Sequence, residues 1–420
     1  MNRLKINRNG SFYDAAYTMQ GKPPKPSFLM KVYVWSRTFV PLWLRRHKIH
    51  RVNVKGLKAP YILLGNHGSR LDFNASSRAL FPQSAANVGA LDAYVKREYI
   101  LRWLGSVGVR KFAKQESSVG RNMLHVIKKH GLTLIIYPEA RYTLDGRCSV
   151  LPQTLGKLIK LADVPVVTLM NQGHHLVKPY WSPHSRFFKT ASVMTQIITQ
   201  EEIQNLSSDA IQNRVENAMQ YDDYAWQKET GLRIKHKKRA EGLHHLLYRC
   251  SQCNDEHAMT SHGTQLLCTA CHTTLTLTPS GDVQDASGKT RSIASYVDAQ
   301  KEALQKDIAA QHYRMESTVD VYALPNPKGF VPCGQGHFVH DSEGYHLDFQ
   351  VEGEAKTLDH HPKRQYALHV AYDHHHGQPF IGFSQDNQTY FLGFPKGYPV
   401  TKLAFATEQL YTLYNGKSAE

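Results

Sequence analysis

The spacing of apolar residues changes along the chain, and in the first half it predicts an α/β region. Short apolar runs typical of buried strands occur at residues 60–65, 132–137 and 164–170. Between them, apolar residues recur at helical spacing around 123–128 and 155–161. Because buried strands that alternate with helices usually form parallel sheets, we predict an α/β domain with a mostly parallel sheet flanked by helices.

The second half of the chain has the period of two that is typical of half-buried strands. From about residue 318, apolar and polar residues alternate between Gly, Asp and Asn turns, as at 345–351 and 366–372. A helix is predicted before this stretch, at 293–309, and another after it, at 400–414. These segments predict a small β-rich module, which with its final helix resembles a pleckstrin-homology-like barrel.

A third pattern lies near the N-terminus, where an aromatic face follows the segment Lys22–Ser27. Five large apolar residues recur there at helical spacing: Phe28, Val32, Trp35, Phe39 and Trp43. Pro41 is expected to end or kink this helix, and Arg45 and Arg46 follow it directly. An aromatic helix with cations at its end suits the headgroup boundary of a membrane, and an ordinary helix packed on the α/β core is the alternative.

The chain is basic, which favours anionic partners without choosing between nucleic acid and anionic lipid. It has 51 Lys and Arg against 35 Asp and Glu, a formal net charge of +16 and a pI near 9.4. Residues 1–50 carry ten of these cations and a single acid, Asp14. The first residues have no apolar signal segment, and no run approaches the roughly 18 apolar residues that span a bilayer. We therefore expect a cytoplasmic protein, peripheral on the inner face of the cell membrane and in contact with its anionic lipids.

Four of the six cysteines form two C-x-x-C pairs, Cys250 with Cys253 and Cys268 with Cys271. Fourteen residues separate the pairs, a spacing with which two knuckles supply four thiolates to one tetrahedral Zn²⁺. A four-thiolate shell has no open position for a substrate, so we predict a structural zinc ribbon in a reducing compartment. Ribbons are frequent in nucleic-acid-binding proteins, but this segment has little basic charge and no interleaved aromatic residues, which argues against a nucleic-acid partner.

Candidate chemistry begins directly after the strand predicted at 60–65, in the sequence Asn66-His67-Gly68-Ser69-Arg70-Leu71-Asp72. His67 and Asp72 lie five residues apart across a strand-to-helix turn. If the turn folds back at Gly68, the Asp72 carboxylate holds one imidazole nitrogen and leaves the other facing a substrate, as in a general base. The alternative is a capping Asp72 beside an unrelated loop histidine.

Three further blocks follow this motif in order, within roughly residues 30–200. They are Trp103–Lys111, which contains glycines and cations, then Tyr137-Pro138-Glu139-Ala140-Arg141, and Val164-Pro165-Val166. With these blocks the chain resembles the glycerolipid acyltransferase family, which includes bacterial 1-acylglycerol-3-phosphate acyltransferases. The family has Gly where this chain has Ala140, and its arginine lies three residues after the glutamate, whereas Arg141 follows Glu139 by two.

The resemblance implies transfer of an acyl group from acyl-CoA or acyl-carrier protein to a hydroxyl of lysophosphatidic acid or a related lysophospholipid. His67 would take the proton from the hydroxyl, and Asp72 would orient His67. The residues implied in substrate binding are Glu139 for the acceptor hydroxyl, Arg141 with Lys111 or Arg110 for its phosphate, and Asn66 and Ser69 beside the catalytic pair. The alternatives are a helix-terminal charge for Glu139 and a solvated basic face for Arg110 and Lys111. The altered third block also keeps open a non-catalytic adaptor that binds lipid or a partner.

These patterns divide the chain into five segments. They are a basic N-terminal arm at 1–26, an acyltransferase-like catalytic domain at 27–230, a basic linker at 231–247, a zinc ribbon at 248–280 and a β-rich domain at 290–420. The sequence indicates no oligomeric state.

Overall fold

A computed structural model describes residues 4–17, 22–112, 117–375, 377–385 and 387–416. The strands form three sheets that follow one another along the chain, one mostly parallel and two antiparallel. Within these described ranges, no helix is both long and apolar enough to cross a bilayer.

The first sheet is the predicted α/β sheet. Its strands are β1 (Lys48–Val52), β2 (Ile62–Gly65), β3 (Ala85–Ala90), β4 (Val107–Val109), β5 (Thr133–Ile136), β6 (Val166–Gln172) and β7 (Ala191–Ile198). They lie in the order β1-β7-β6-β2-β5-β3-β4, and every pairing is parallel except that of β6 with β7. All residues of β2 and β5 are buried, because helices cover both faces of these central strands. The predicted mostly parallel sheet is therefore present.

Helices on the two faces of this sheet form two separate cores. The helices of the region are α1 (Phe28–Leu44), α2 (Leu71–Leu80), α3 (Leu91–Tyr94), α4 (Glu98–Trp103), α5 (Ser117–Lys128), α6 (Leu155–Ala162), α7 (His174–Val177), α8 (Gln200–Asn205), α9 (Ser208–Ala218) and α10 (Asp223–Glu229). Leu63 of β2 belongs to the cluster that includes α2, and its neighbour Leu64 to the cluster that includes α5, α6 and α9. This alternation follows from the period of two in a strand.

Of the two outcomes predicted for Pro41 in helix α1, an end of the helix does not occur. The helix continues through Pro41 to Leu44, so the proline does not end it. Only one turn remains after Pro41, and the Arg45 guanidinium donates to the Pro41 carbonyl over 3.2 Å, which helps to satisfy the end of the helix.

The second sheet is a five-stranded antiparallel meander that carries the cysteines. Its strands are β8 (Met259–His262), β9 (Gln265–Cys268), β10 (Thr274–Leu277), β11 (Asp282–Gln284) and β12 (Thr290–Ser292). The segment 231–247, predicted as a linker, has a 3-10 turn at Leu243–His245 and buries Ile234, Ala240 and Leu243 in the main core.

The third sheet is the predicted β-rich region. Its elements are α11 (Ile293–Ala309), β13 (Arg314–Leu324), β14 (Val331–Asp341), β15 (Gly344–Val351), β16 (Glu354–His360), β17 (His369–His375), β18 (Gln378–Gln385), β19 (Gln388–Gly393) and α12 (Val400–Tyr414). The four-stranded meander β13–β16 joins the three-stranded meander β17–β19 through the pairing of β13 with β19. Both helices have the predicted bounds, while the pleckstrin-homology-like resemblance stays a prediction.

The three regions and the N-terminal arm pack on one another. The largest core cluster contains Trp181 from the first region, Leu266 from the second and Phe338 from the third. In the arm, Phe12 is buried, and its backbone N–H donates to Glu352 over 2.8 Å. The predicted arm also includes residues 1–3 and 18–21, which lie outside the described residues.

Candidate active site

The carboxyl ends of three adjacent strands bring the candidate residues together. Strands β6, β2 and β5 lie side by side and run parallel. His67 follows β2, Glu139 follows β5 and His174 follows β6. Because parallel strands end at the same edge of a sheet, residues far apart in sequence meet at this edge, where α/β folds commonly bind ligands.

His67 and Asp72 form a hydrogen-bonded pair at this edge. The Nδ1 of His67 lies 3.0 Å from the Oδ2 of Asp72, and the Ser69 backbone N–H donates to the same oxygen over 2.9 Å. Asp72 is fully buried in the first turn of α2, whereas the His67 side chain is 21% exposed. Since an ionised carboxylate only accepts hydrogen bonds, Nδ1 carries the proton and Nε2 the lone pair. Within the described part of the chain Nε2 has no hydrogen-bond partner, so it can accept a proton.

A second imidazole, which the sequence analysis missed, contacts the same carboxylate. The Nδ1 of His174 lies 2.7 Å from the Oδ1 of Asp72, and its side chain is completely buried. Burial by itself would raise the pKa of Asp72, but the hydrogen bonds from His174 and His67 lower it below its ordinary value. Asp72 is therefore a carboxylate at neutral pH, held by donors on both oxygens. Nothing in the spacing of His174 pointed to this contact, since 102 residues separate it from Asp72.

Asp223 fixes the turn that presents His174. Gly173 adopts a left-handed φ of 79° just before α7, a conformation that favours glycine. The Asp223 carboxylate accepts from the backbone N–H groups of Gly173 and His175 over 2.5 and 2.9 Å. Burial raises the pKa of Asp223 to about 7, although hydrogen bonds from Tyr221 and these backbone groups oppose the rise.

Two tyrosine rings contact the imidazole of His67. The Tyr137 ring stacks on it at a centroid distance of 4.4 Å, and the Tyr142 ring lies 4.2 Å away at 38°. A Cβ on Gly65 would come within 2.8 Å of the Tyr137 ring, so the glycine leaves the space for this stacking. Tyr142 is the third residue after Glu139, the position at which the resembled family has its arginine. The position that holds an arginine in that family therefore holds, in this chain, a ring against the imidazole of His67.

Glu139 ties the loop after β5 to the histidine turn. Its side chain is buried, and one oxygen accepts the His67 backbone N–H over 3.0 Å while the other accepts both the N–H and the hydroxyl of Ser149. Burial raises the pKa of Glu139, and the Ser149 hydrogen bonds oppose this. Ala140 then adopts a left-handed φ of 55°, which explains physically why a glycine would suit the position.

Asn66 and Ser69 hold the backbone of the turn. The Asn66 amide donates to the carbonyl of Asn171 over 3.0 Å and accepts from its N–H over 2.6 Å, which links the ends of β2 and β6. The Ser69 hydroxyl accepts the backbone N–H of Leu71 at the start of α2. Both side chains are buried, so the structure gives them bracing contacts inside the protein.

The three cations predicted to bind phosphate each contact groups within the protein. Arg141 is buried and forms an ion pair with Glu408 of α12. Lys111 lies 3.6 Å from a carboxylate oxygen of Asp92 and 3.3 Å from the Nδ1 of His369. The Arg110 guanidinium donates to the carbonyls of Tyr17 and Pro325 over 3.2 Å. These partners lie in the N-terminal arm, the first region and the C-terminal region.

The four predicted metal ligands form a compact cluster. The sulfur atoms of Cys250, Cys253, Cys268 and Cys271 all lie within 4.8 Å of one another, and two of the pairs are 3.6 Å apart. Four thiolates at about 2.3 Å from a tetrahedral Zn²⁺ have sulfur separations of roughly 3.8 Å, so this donor set fits zinc. The residue after each pair, Asn254 and His272, has a left-handed φ, which gives the two knuckles matching turns.

Comparisons with known proteins find a likeness among solved structures. No family model matches the chain, and no curated protein matches it. Among solved structures, the 1-acyl-sn-glycerophosphate (LPA) acyltransferase PlsC from Thermotoga maritima is similar over 48% of this chain and 79% of that chain, with 14% identity and a TM-score of 0.38. The function is therefore inferred from this chain's own residues.

Proposed function

We propose that the chain is an acyltransferase that moves an acyl group from a thioester to a hydroxyl, with His67 as general base. The observation that carries the proposal is the contact between a partly exposed imidazole and a fully buried carboxylate, His67 with Asp72. An orienting carboxylate fixes the tautomer and stabilises the imidazolium that forms on proton uptake. The donor is acyl-CoA or acyl-carrier protein, as the sequence resemblance implies.

The reaction needs no covalent enzyme intermediate. The Nε2 of His67 takes the proton from the acceptor hydroxyl while its oxygen bonds to the carbonyl carbon of the thioester. The carbon–sulfur bond then breaks, and the thiolate receives the proton from the imidazolium, so that a thiol and an ester leave. Asp72 and His174 do not touch the reactants; they keep the imidazole in place, and Glu139 holds its backbone.

The acceptor proposed is a lysophospholipid hydroxyl, reached from an anionic membrane surface. Helix α1 supports this, because much of its apolar surface faces solvent. Its exposed large apolar residues are Phe28, Leu29, Val32, Tyr33, Phe39, Val40, Trp43 and Leu44. The exposed cations Arg46 and Lys48 follow the helix. An apolar face beside cations suits insertion at the headgroup boundary without spanning the bilayer.

The cysteine cluster is proposed to hold a structural zinc ion. Four sulfurs complete the tetrahedral shell, so the metal would stabilise the second sheet and take no part in acyl transfer. Metal analysis of the purified chain should find about one zinc per molecule, and a metal-free folded protein would contradict the assignment.

The experiment that tests the function measures thiol release from acyl-CoA or acyl-carrier protein with a panel of lysophospholipids. We expect His67→Ala to lower turnover by about 10²–10⁴-fold while its melting temperature stays within a few degrees of wild type. His50→Ala, which changes an exposed histidine of β1, is the matched control and should keep full activity. Full activity in His67→Ala would refute the assignment, and no turnover of the wild type with any donor and acceptor would favour the non-catalytic adaptor.

A further inference from the structure

A cavity of about 320 Å³ lies next to the candidate active site. Tyr137, whose ring stacks on His67, lines this cavity together with Pro138 of the same loop. Its volume is at the lower end of the range for small-molecule sites in proteins. One residue of the lining, Tyr137, therefore also contacts the proposed base.

The walls of the cavity are mostly apolar where helices α5 and α6 form them. Val119 and Met123 come from α5, and Leu155 and Leu158 come from α6. These side chains belong to or pack against the core cluster of the first sheet, so the wall is part of the folded framework. Such a surface suits a hydrocarbon chain.

The charged side chains of the described lining are all cations. They are Arg110 after β4 and, from the C-terminal region, Lys363 and Arg364 of the 3-10 turn Pro362–Arg364. Lys363 and Arg364 are exposed, and none of the described lining residues is acidic. An anionic group in the cavity would meet positive charge without a competing carboxylate in the described lining.

We infer that the C-terminal region completes the substrate site: Lys363 and Arg364 bind the phosphate-bearing head of an acyl amphiphile. This inference rests on the proposed function. The chain of the amphiphile lies against α5 and α6, and its head lies at the C-terminal cations. Tyr366 and Tyr411, which also line the cavity, come from the same C-terminal region, and α12 packs against the turn that carries the cations. The phosphate contact assigned by sequence to Arg141 is thereby supplied by residues more than 200 positions later.

The test measures the dissociation constant of the full chain by calorimetry for three probes below their micelle concentrations. Palmitoyl-CoA represents the donor, oleoyl lysophosphatidic acid represents the acceptor, and monooleoylglycerol lacks phosphate. We expect Lys363→Ala/Arg364→Ala to weaken binding of one phosphorylated probe by about tenfold and to leave monooleoylglycerol within about twofold. The probe that loses affinity identifies whether the head belongs to the donor or to the acceptor.

Two further variants keep the test specific. Lys328→Ala/Lys396→Ala removes two exposed cations of the same region outside the cavity and should bind all probes as wild type does. Leu158→Trp narrows the apolar wall and should weaken all three probes. Unchanged binding of both phosphorylated probes by the Lys363/Arg364 variant, or of monooleoylglycerol by Leu158→Trp, would overturn the inference.

Failure of this site and failure of the proposed function have different signatures. Binding that depends on Lys363 and Arg364, combined with no acyl transfer from any donor, would support the binding site and refute the proposed activity. Acyl transfer with an unchanged KM for both substrates in the Lys363→Ala/Arg364→Ala variant would support the activity and refute the binding site. His67→Ala should bind the probes as wild type does, because His67 is not among the described residues that line the cavity.

Discussion

The turn that carries His67 and the two loops that carry the expected phosphate cations were predicted from the same sequence resemblance, yet the structure treats them differently. In the turn, a buried carboxylate receives donors on both oxygens, and the imidazole that it holds stays partly exposed. In the loops, Lys111 and Arg141 contact acids within the protein, Asp92 and Glu408. The imidazole therefore keeps one nitrogen for a substrate, whereas the guanidinium of Arg141 is occupied by a buried carboxylate of the same chain.

The largest effect should come from removing the charge at the centre of the turn. Asp72→Asn places an amide N–H₂ or a neutral oxygen beside Nδ1 of His67, so the tautomer is no longer fixed and the imidazolium loses its counter-charge. We expect kcat to fall by roughly 10³–10⁴-fold. Asp209→Asn, in the first turn of α9 as Asp72 is in the first turn of α2, is the matched control. A loss below tenfold in Asp72→Asn would show that the pair does not act as proposed.

The buried ion pair should give the next largest effect, on stability and not on substrate affinity. Among the described residues, Arg141→Met leaves the buried Glu408 with Lys301, at 3.9 Å, as its remaining ion-pair partner. We expect the free energy of unfolding to fall by about 3 kcal/mol. Arg141→Met/Glu408→Leu should recover much of that loss, because no unpaired charge remains. Urea denaturation measures both. A raised KM for a phosphorylated acceptor with unchanged stability would restore the phosphate role that the sequence assigned to Arg141.

Whether the sequence could predict a contact depends on how many residues separate the two partners along the chain. Asp72 and His67 are five residues apart, and each cysteine pair spans four, so one turn decides their geometry. The parallel strands and the final helix were predictable because their apolar periods reflect burial on their own faces. The contact of Arg141 with Glu408 joins positions 267 residues apart, and no local period encodes it.

The third prediction concerns His174, which also escaped the sequence analysis and acts as a positioning residue. His174→Leu removes the donor to Oδ1 of Asp72, so the carboxylate can rotate away from His67. We expect kcat to fall by about tenfold with KM unchanged, since the residue touches neither substrate. His174→Gln keeps an N–H donor and should recover part of kcat, whereas a purely steric role would be served equally well by either side chain. Equal kcat values for the two variants would therefore remove the positioning role.

The smallest expected effect concerns Ala140, in the loop after β5, and is measured as a change in the free energy of unfolding. An L-residue with a φ of 55° is strained by about 1 kcal/mol relative to glycine, while glycine adds entropy to the unfolded chain. Ala140→Gly should therefore raise the free energy of unfolding slightly, by about 0.5 kcal/mol, and leave kcat unchanged.

Ala299→Gly, in the exposed middle of α11, is the matched control and should lower the free energy of unfolding by about 1 kcal/mol, because glycine there gains no relief of strain. Equal destabilisation by both substitutions would show that the loop after Glu139 does not require the left-handed conformation in solution. A rise in stability at Ala140 alone would mean that this loop keeps the backbone of a glycine-containing motif, even though its arginine pairs with α12.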